Sequence, residues 1–262
     1  MAGEKKLKVN DSGKPVDYSR MRKERLGAVD PTRFDFIAAT SHGFRTHLTS
    51  IKGYISLVLS GKTGKVNKVQ KEFLTMVKES ADSLHKLINS ILDLSKIESG
   101  RIQMKRSYMN FDDIIKDQVR IFQAQAKRKG LTLKAEVEEN LPSIRGDSDW
   151  LKVALGNLID NAIKYTNEGG VTITAVDAGE NVRLSISDTG VGVGKKEYER
   201  IFDPFQRSER IVMEGRESAG LGLSITRSII ERHGGSIWVE SKVNQGSRFV
   251  FELPKEQRKS KR

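Results

Sequence analysis

The chain has 262 residues, with 46 Lys and Arg against 34 Asp and Glu, a formal charge of +12, 37% hydrophobic residues and no Cys. This is the composition of a globular protein with room for two modest domains. It excludes a disulfide framework, thiol catalysis and Cys-ligated zinc or iron–sulfur, and four His leave little material for a metal cage. No stretch approaches the ~18 consecutive apolar residues of a membrane helix. The charged first residues lack the apolar core of a signal peptide, so the expectation is an intracellular, cytoplasmic protein with no membrane segment.

The charge suggests nucleic-acid binding only until it is located. Of the +12, +4 falls in residues 1–33 and +3 in residues 252–262, so less than half belongs to the body of the chain. Without aromatic residues at stacking intervals, these ends read as solvated tails, and no nucleic-acid partner is expected.

Between Phe34 and Ser60 apolar residues follow a seven-residue repeat. Ile37, Phe44, Ile51 and Val58 hold one seam position, and Phe34, Leu48 and Ile55 the other, with Ser41 the exception. The polar, Gly-containing break at 60–67 turns the chain. Phe73, Val77, Ser80, Leu84, Leu87, Ile91 and Leu94 then mark a second helix returning antiparallel to the first. That helix is also apolar off its seam, at Met76, Ile88, Leu92 and Ile97. One partner helix cannot cover so wide a surface, which predicts a dimeric four-helix bundle. Gly61-Lys62-Thr63 in the break resembles a phosphate loop, but the motif requires Gly where Ser56 stands and a preceding strand. His42 falls one residue past the seam, at the flank of the bundle. Elsewhere, His233 just before the Gly pair is expected to sit well with its helix dipole.

From Phe111 the period changes. Residues 111–130 read as a helix with acidic residues at its start, 131–138 as a strand and 149–166 as a helix. Residues 171–178 and 182–188 read as strands, 221–235 as a helix ended by paired Gly, and 236–241 and 247–254 as strands. The expected fold is α+β: an antiparallel helical hairpin at 34–105, dimerising as a four-helix bundle, then an α/β sandwich with a mostly antiparallel sheet at 106–254. A basic segment at 1–33 and a basic tail at 255–262 flank them.

Three clusters in the second domain carry chemistry. Asn157, Asn161 and Lys164 share one helix face, where an amide oxygen can ligate Mg²⁺ and an ammonium can neutralise a phosphate. Asp188-Thr-Gly190-Val-Gly192 ends a strand with a carboxylate able to accept from an exocyclic amine. Gly220-Leu221-Gly222 opens a helix whose N–H groups and dipole favour a phosphate. With a polar stretch at 207–219 between the last two, they describe a nucleotide site with a lid.

These residues resemble the sensor histidine kinases of two-component signalling, over about residues 34–254. The phosphoacceptor box is similar to Ser41-His42-Gly43-Phe44-Arg45-Thr46, and the asparagine box to Leu155-Gly-Asn157 through Asn161, Lys164, Tyr165 and Thr166. Asp188-Thr-Gly190-Val-Gly192 matches the first glycine box, Ile201-Phe202-Asp203-Pro204-Phe205 the phenylalanine box, and Gly220-Leu221-Gly222 the second glycine box. The resemblance implies a homodimeric ATP- and Mg²⁺-dependent kinase related in fold to gyrase and heat-shock chaperone ATPases. His42 would be the nucleophile, and Arg45 and Thr46 would act beside it, Thr46 in response-regulator dephosphorylation. Asn161 would ligate Mg²⁺, Asn157 and Lys164 would contact phosphates with Tyr165 beside them, and Asp188 would read adenine. Gly190, Gly192, Gly220, Leu221 and Gly222 would allow close approach. The phosphoryl group would pass to an Asp in the receiver domain of a response regulator.

The chain departs from the family at three places. The acidic residue that usually follows the His is Gly43, the usual Pro five residues after it is His47, and the usual Gly-Thr is Ser218-Ala219. Loss of a general base costs ~10²–10⁴-fold, so weakened autophosphorylation is expected. The alternative is a pseudokinase scaffold that binds nucleotide and acts on a regulator, with phosphatase action through Thr46. A DNA-acting ATPase rests on charge and shared fold alone, and the His box argues against it. No sensor domain is legible, so the input is expected from an upstream protein or from a longer whole.

Overall fold

The computed structural model describes residues 31–99, 103–208 and 219–255 and, within the first helix, side chains from Gly43 onward. The basic ends and most of the expected lid lie outside the described residues.

The first helix, α1 (Pro31–Leu59), and the second, α2 (Lys68–Glu98), form the hairpin. The turn between them uses left-handed backbone at Gly61 (φ +75°) and Gly64 (φ +121°), as a helix reversal requires. A capping box then starts α2. Asn67 Oδ1 accepts from the Gln70 amide at 2.8 Å, and Gln70 Oε1 accepts from the Asn67 amide at 3.0 Å. The antiparallel register is pinned by Lys52–Asp82 at 2.5 Å and by Arg45, whose guanidinium donates to Asn89 Oδ1 at 3.3 Å.

Part of the off-seam stripe of α2, and not its seam, meets α1, although off-seam Met76 is itself exposed. Leu48 of α1 buries against Ala81, Ile88 and Leu92, whereas the seam residues Phe73, Val77 and Leu84 are exposed, as are Phe44 and Ile51 of α1. Because α2 is apolar on two sides, period alone does not say which side meets α1. The upper part of α2 has a third role: Leu94 and Ile97 belong to the core of the second domain, with Leu87 and Ile91 packed against it.

That domain begins with a ribbon not legible in the sequence, β1 (Ser107–Met109) paired antiparallel with β3 (Ile144–Gly146). Its main sheet has the order β2-β4-β5-β7-β6. β2 (Thr132–Val137) lies parallel to β4 (Gly170–Ala178). The other neighbours, β5 (Asn181–Asp188), β7 (Gly246–Pro254) and β6 (Ser236–Lys242), pair antiparallel. Three helices, α3 (Phe111–Arg128), α4 (Ser148–Tyr165) and α5 (Gly222–Arg232), share a core with it. Ile115, Leu155, Ile159 and Ile229 meet Ile173, Leu184 and Phe251 there, all at 0–1% exposure. Intervening strand positions are polar, as in the pair of Arg183 Nε donating to Glu252 at 2.7 Å, which explains the alternation read as strand.

Side-chain oxygens cap both long helices: Asn110 accepts from the Asp112 amide, and Asp147 from the amides of Asp149 and Trp150. His233 departs from its expected role. It is buried, and its Nε2 accepts from the Asp147 amide at 3.0 Å, so Nδ1 carries the proton toward the Ile229 carbonyl at 2.8 Å. Burial pushes its pKa down, and the ring is a neutral strut rather than a cation serving the helix dipole. The domains are joined by the Arg232 guanidinium, which donates to the Ile97 carbonyl, while Arg106 donates to the Arg232 carbonyl within the second domain. Lys86 of α2 lies 3.7 Å from Asp160 of α4.

Candidate nucleotide and phosphotransfer site

Helix α4 buries Leu155, Leu158, Ile159, Ala162 and Ile163, so its opposite face carries Asn157, Asn161 and Lys164 half-buried, as their spacing predicts. The C-terminal end of this helix is held by a residue the sequence analysis missed. Lys129 Nζ donates to the carbonyls of Ile163, Lys164 and Thr166 at 2.8, 2.9 and 3.0 Å. An ammonium at a helix C-terminus satisfies orphan carbonyls and opposes the dipole. A basic residue beside Gly130 is the only sequence signal for it, and sequence cannot place it against a helix more than thirty residues away.

Asp188 ends β5 at 9% exposure. Two backbone amides, Gly190 at 2.8 Å and Ser247 at 3.2 Å, both donate to its Oδ1. That convergence leaves Oδ2 to accept from a ligand amine. Burial raises the pKa to about 6, with the two amides pulling the other way.

The glycines serve the chain's own packing first. A Cβ on Gly190 would lie 2.4 Å from the Tyr165 carbonyl oxygen, and one on Gly192, at φ +70°, would lie 2.2 Å from that of Lys242. Gly222 differs, since a Cβ there would make ordinary contact with Asn157 Cγ at 3.6 Å.

Backbone and amide bonds bring the three clusters together. Val191 N–H donates to the Tyr165 carbonyl at 3.2 Å, tying the strand-end loop to α4, and Asn157 Nδ2 donates to the Gly222 carbonyl at 3.2 Å, tying α4 to α5. Asn157 is thus a brace as well as a candidate phosphate contact. Leu221 is in the core at 1% exposure, so only its backbone can approach a ligand. Lys164 Nζ lies 5.6 Å from the Tyr165 ring centroid. In the following segment Ile201 and Phe202 are buried, Phe202 against Phe249, while Phe205 takes a left-handed φ of +61° and donates its N–H to the Gly220 carbonyl at 3.0 Å. Tyr198 adds a bond the sequence did not signal, its hydroxyl accepting from the Ser241 amide at 2.9 Å.

On the hairpin, His42 lies in α1, and its side chain is outside the described residues. Arg45 and Thr46 are exposed one turn on, and a Cβ at Gly43 would meet nothing within 4 Å. Among the described residues no three His, Asp or Glu are grouped to hold a metal ion, and none of the helices is long and apolar enough to cross a membrane.

Comparison with known proteins agrees with this division. Residues 32–100 match the His Kinase A (phospho-acceptor) domain, and residues 146–257 match the histidine kinase-, DNA gyrase B- and HSP90-like ATPase family. The chain belongs to the sensor histidine kinases. The sensor histidine kinase GacS of Pseudomonas protegens is 34% identical over 244 residues, which is 91% of this chain and 26% of GacS. The structure of full-length ShkA in complex with AMPPNP superposes with a TM-score of 0.70 at 31% identity, covering 84% of this chain and 45% of that one. The structure of histidine kinase ThkA in complex with response regulator protein TrrA has a TM-score of 0.61 at 28% identity, covering 91% and 65%. The chain spans about a quarter to two-fifths of the curated relatives it matches.

Proposed function

We propose that this chain is the kinase core of a two-component sensor: it binds ATP with Mg²⁺, phosphorylates His42 and passes the phosphoryl group to an Asp of a response-regulator receiver. The observation that carries this reading is the junction of Asn157, Asp188 and Gly222 within one bonded frame, on a domain packed directly against the helical hairpin of the His box. Asp188 Oδ2 accepts from the adenine amine. The free N–H groups at the start of α5, near Gly220, Leu221 and Gly222, receive phosphate, and Lys164 neutralises it. The amide oxygen of Asn161 is a neutral, hard donor that fits a divalent cation whose remaining ligands are phosphate and water oxygens. That cation would supply charge neutralisation on the phosphates.

The exposed apolar stripe of Phe44, Ile51, Phe73, Val77 and Leu84 supports a homodimer closed as a four-helix bundle. Arg45 and Thr46, on the exposed side of α1 near His42, serve transfer to the receiver and water-mediated dephosphorylation. A cytoplasmic setting and an upstream sensor complete the reading.

The test is incubation with γ-labelled ATP and Mg²⁺, followed by a receiver domain. The expected result is acid-labile, base-stable label on the wild type, none on His42→Gln, and transfer to the receiver. Nucleotide binding that leaves no label would reduce the chain to a nucleotide-binding scaffold.

A further inference from the structure

An imidazole attacks phosphorus through one ring nitrogen, and its other nitrogen must hold, then lose, a proton. A carboxylate facing that second nitrogen fixes the tautomer and receives the proton. The residue after His42 is Gly43, which has no side chain and opens onto empty space. The carboxylate must therefore come from another element.

The register of the hairpin indicates which one. Arg45 donates to Asn89, and Lys52 pairs with Asp82, so each step down α1 is matched by a step up α2. His42 precedes Arg45 by three residues and shares its face of α1, while Asp93 follows Asn89 by four and shares its face of α2. The Arg45–Asn89 contact thus sets Asp93 across the groove at the level of His42. The next acidic residue towards the hairpin turn on α2, Asp82, lies about 16 Å further along at ~1.5 Å per residue and is held by Lys52.

We propose that Asp93 is the positioning carboxylate of this kinase, orienting the His42 imidazole from the facing helix and taking its ring proton during phosphoryl transfer. This rests on the kinase reading above. As the Nε2 lone pair of His42 bonds to the γ-phosphorus, the bond to the bridging oxygen breaks and ADP leaves with that electron pair. The Nδ1 proton passes to an Asp93 carboxylate oxygen and from there to water. The surroundings of Asp93 fit it for this role. Burial moves its pKa above the ordinary carboxylate value and so raises its proton affinity, while the charges of Lys96 on its own helix and Arg45 on the facing one pull the other way. Among the described residues the charged groups that act on it are Arg45 of α1 and Lys96 of α2.

The experiment compares initial autophosphorylation rates of the wild type, Asp93→Asn, Asp93→Glu, and Asp93→Asn combined with Gly43→Glu, from pH 5.5 to 9. Melting temperature and affinity for a non-hydrolysable ATP analogue serve as controls. Asp93→Asn is expected to lower the maximal rate by roughly 10²-fold with KM for ATP unchanged. Asp93→Glu should retain part of the rate, and Gly43→Glu should restore most of it by supplying a carboxylate from the neighbouring position. With ATP saturating at each pH, the acidic limb of the pH–rate profile should become shallower in Asp93→Asn and regain its steepness in the double variant. A wild-type rate in Asp93→Asn overturns the proposal. So does a loss that Gly43→Glu fails to restore, because the residue would then be structural. Absence of label on the wild type and on Gly43→Glu alike would instead defeat the kinase reading itself, and this proposal with it.

Discussion

The two halves of the molecule bury their apolar residues differently. In the ATPase-like domain Leu155, Ile173 and Leu184 are fully enclosed within one chain. In the hairpin Phe44 is 54% and Phe73 63% exposed, while Leu48, Ala81, Ile88 and Leu92 form a small cluster between the two helices. The first half is thermodynamically complete as a single copy, whereas the second needs further apolar surface. One link crosses the divide, because Leu94 and Ile97 at the top of α2 belong to the second domain's core. Packing at the hairpin is thereby felt at the helix that carries Asn157 and Asn161.

The largest effect that sharpens this contrast comes from truncating the enclosed core. Leu155→Ala should cost about 2–5 kcal/mol and abolish the domain's cooperative melting at 37 °C or lower it sharply. Phe44→Ser, by contrast, should leave that melting transition in place and weaken self-association. Calorimetry and sedimentation on the same samples check both. If Phe44→Ser melted the ATPase domain, the halves would not be independent.

A smaller effect concerns Asp188, whose carboxyl binds its proton more tightly when folded, with a pKa of about 6 against an ordinary value of 3.8. Between those values the folded state holds more protons than the unfolded one, so ionisation costs stability as pH rises through the window, and the cost is full above about 6. Asp188→Asn retains an oxygen for the Gly190 and Ser247 amides. Its stability relative to wild type should therefore improve by up to about 3 kcal/mol between pH 4 and pH 7. The difference cancels the opposite contribution of His233, whose lowered pKa makes stability fall as pH drops through about 6.5. Affinity for an ATP analogue should move the other way in the wild type, weakening below about pH 6 as the adenine acceptor is protonated. Pairing denaturant melts with nucleotide titrations across pH 4–8 checks both signs.

The smallest effect is stabilising. Gly43 and Gly53 lie within α1 with open space where a Cβ would stand, so Ala at either should raise hairpin stability by up to ~1 kcal/mol. A loss at Gly43 would mean that the bundle partner approaches the backbone there.

Much of this was legible in the sequence for physical reasons. Strong periodicity placed both hairpin helices and the main-sheet strands within a few residues of their observed ends, since a two-sided environment imposes 3.6- or 2-residue patterns. The glycine and asparagine clusters were legible because turns and cradles restrict residue type. What stayed hidden depends on distant geometry. The β1–β3 ribbon is three residues long on each side, too short to show alternation. Which stripe of α2 meets α1 follows from a choice between two apolar faces that composition leaves equal. The Lys129 cap and the Asp93 level across from His42 are set by contacts between elements far apart in the chain.

The most direct test of the account is the position of the phosphoryl group. After reaction with ATP and Mg²⁺, fragmentation mass spectrometry at neutral to alkaline pH should place it on His42 alone. Phosphate on His47, on His85 or on any hydroxyl, with His42 unmodified, would contradict the assignment.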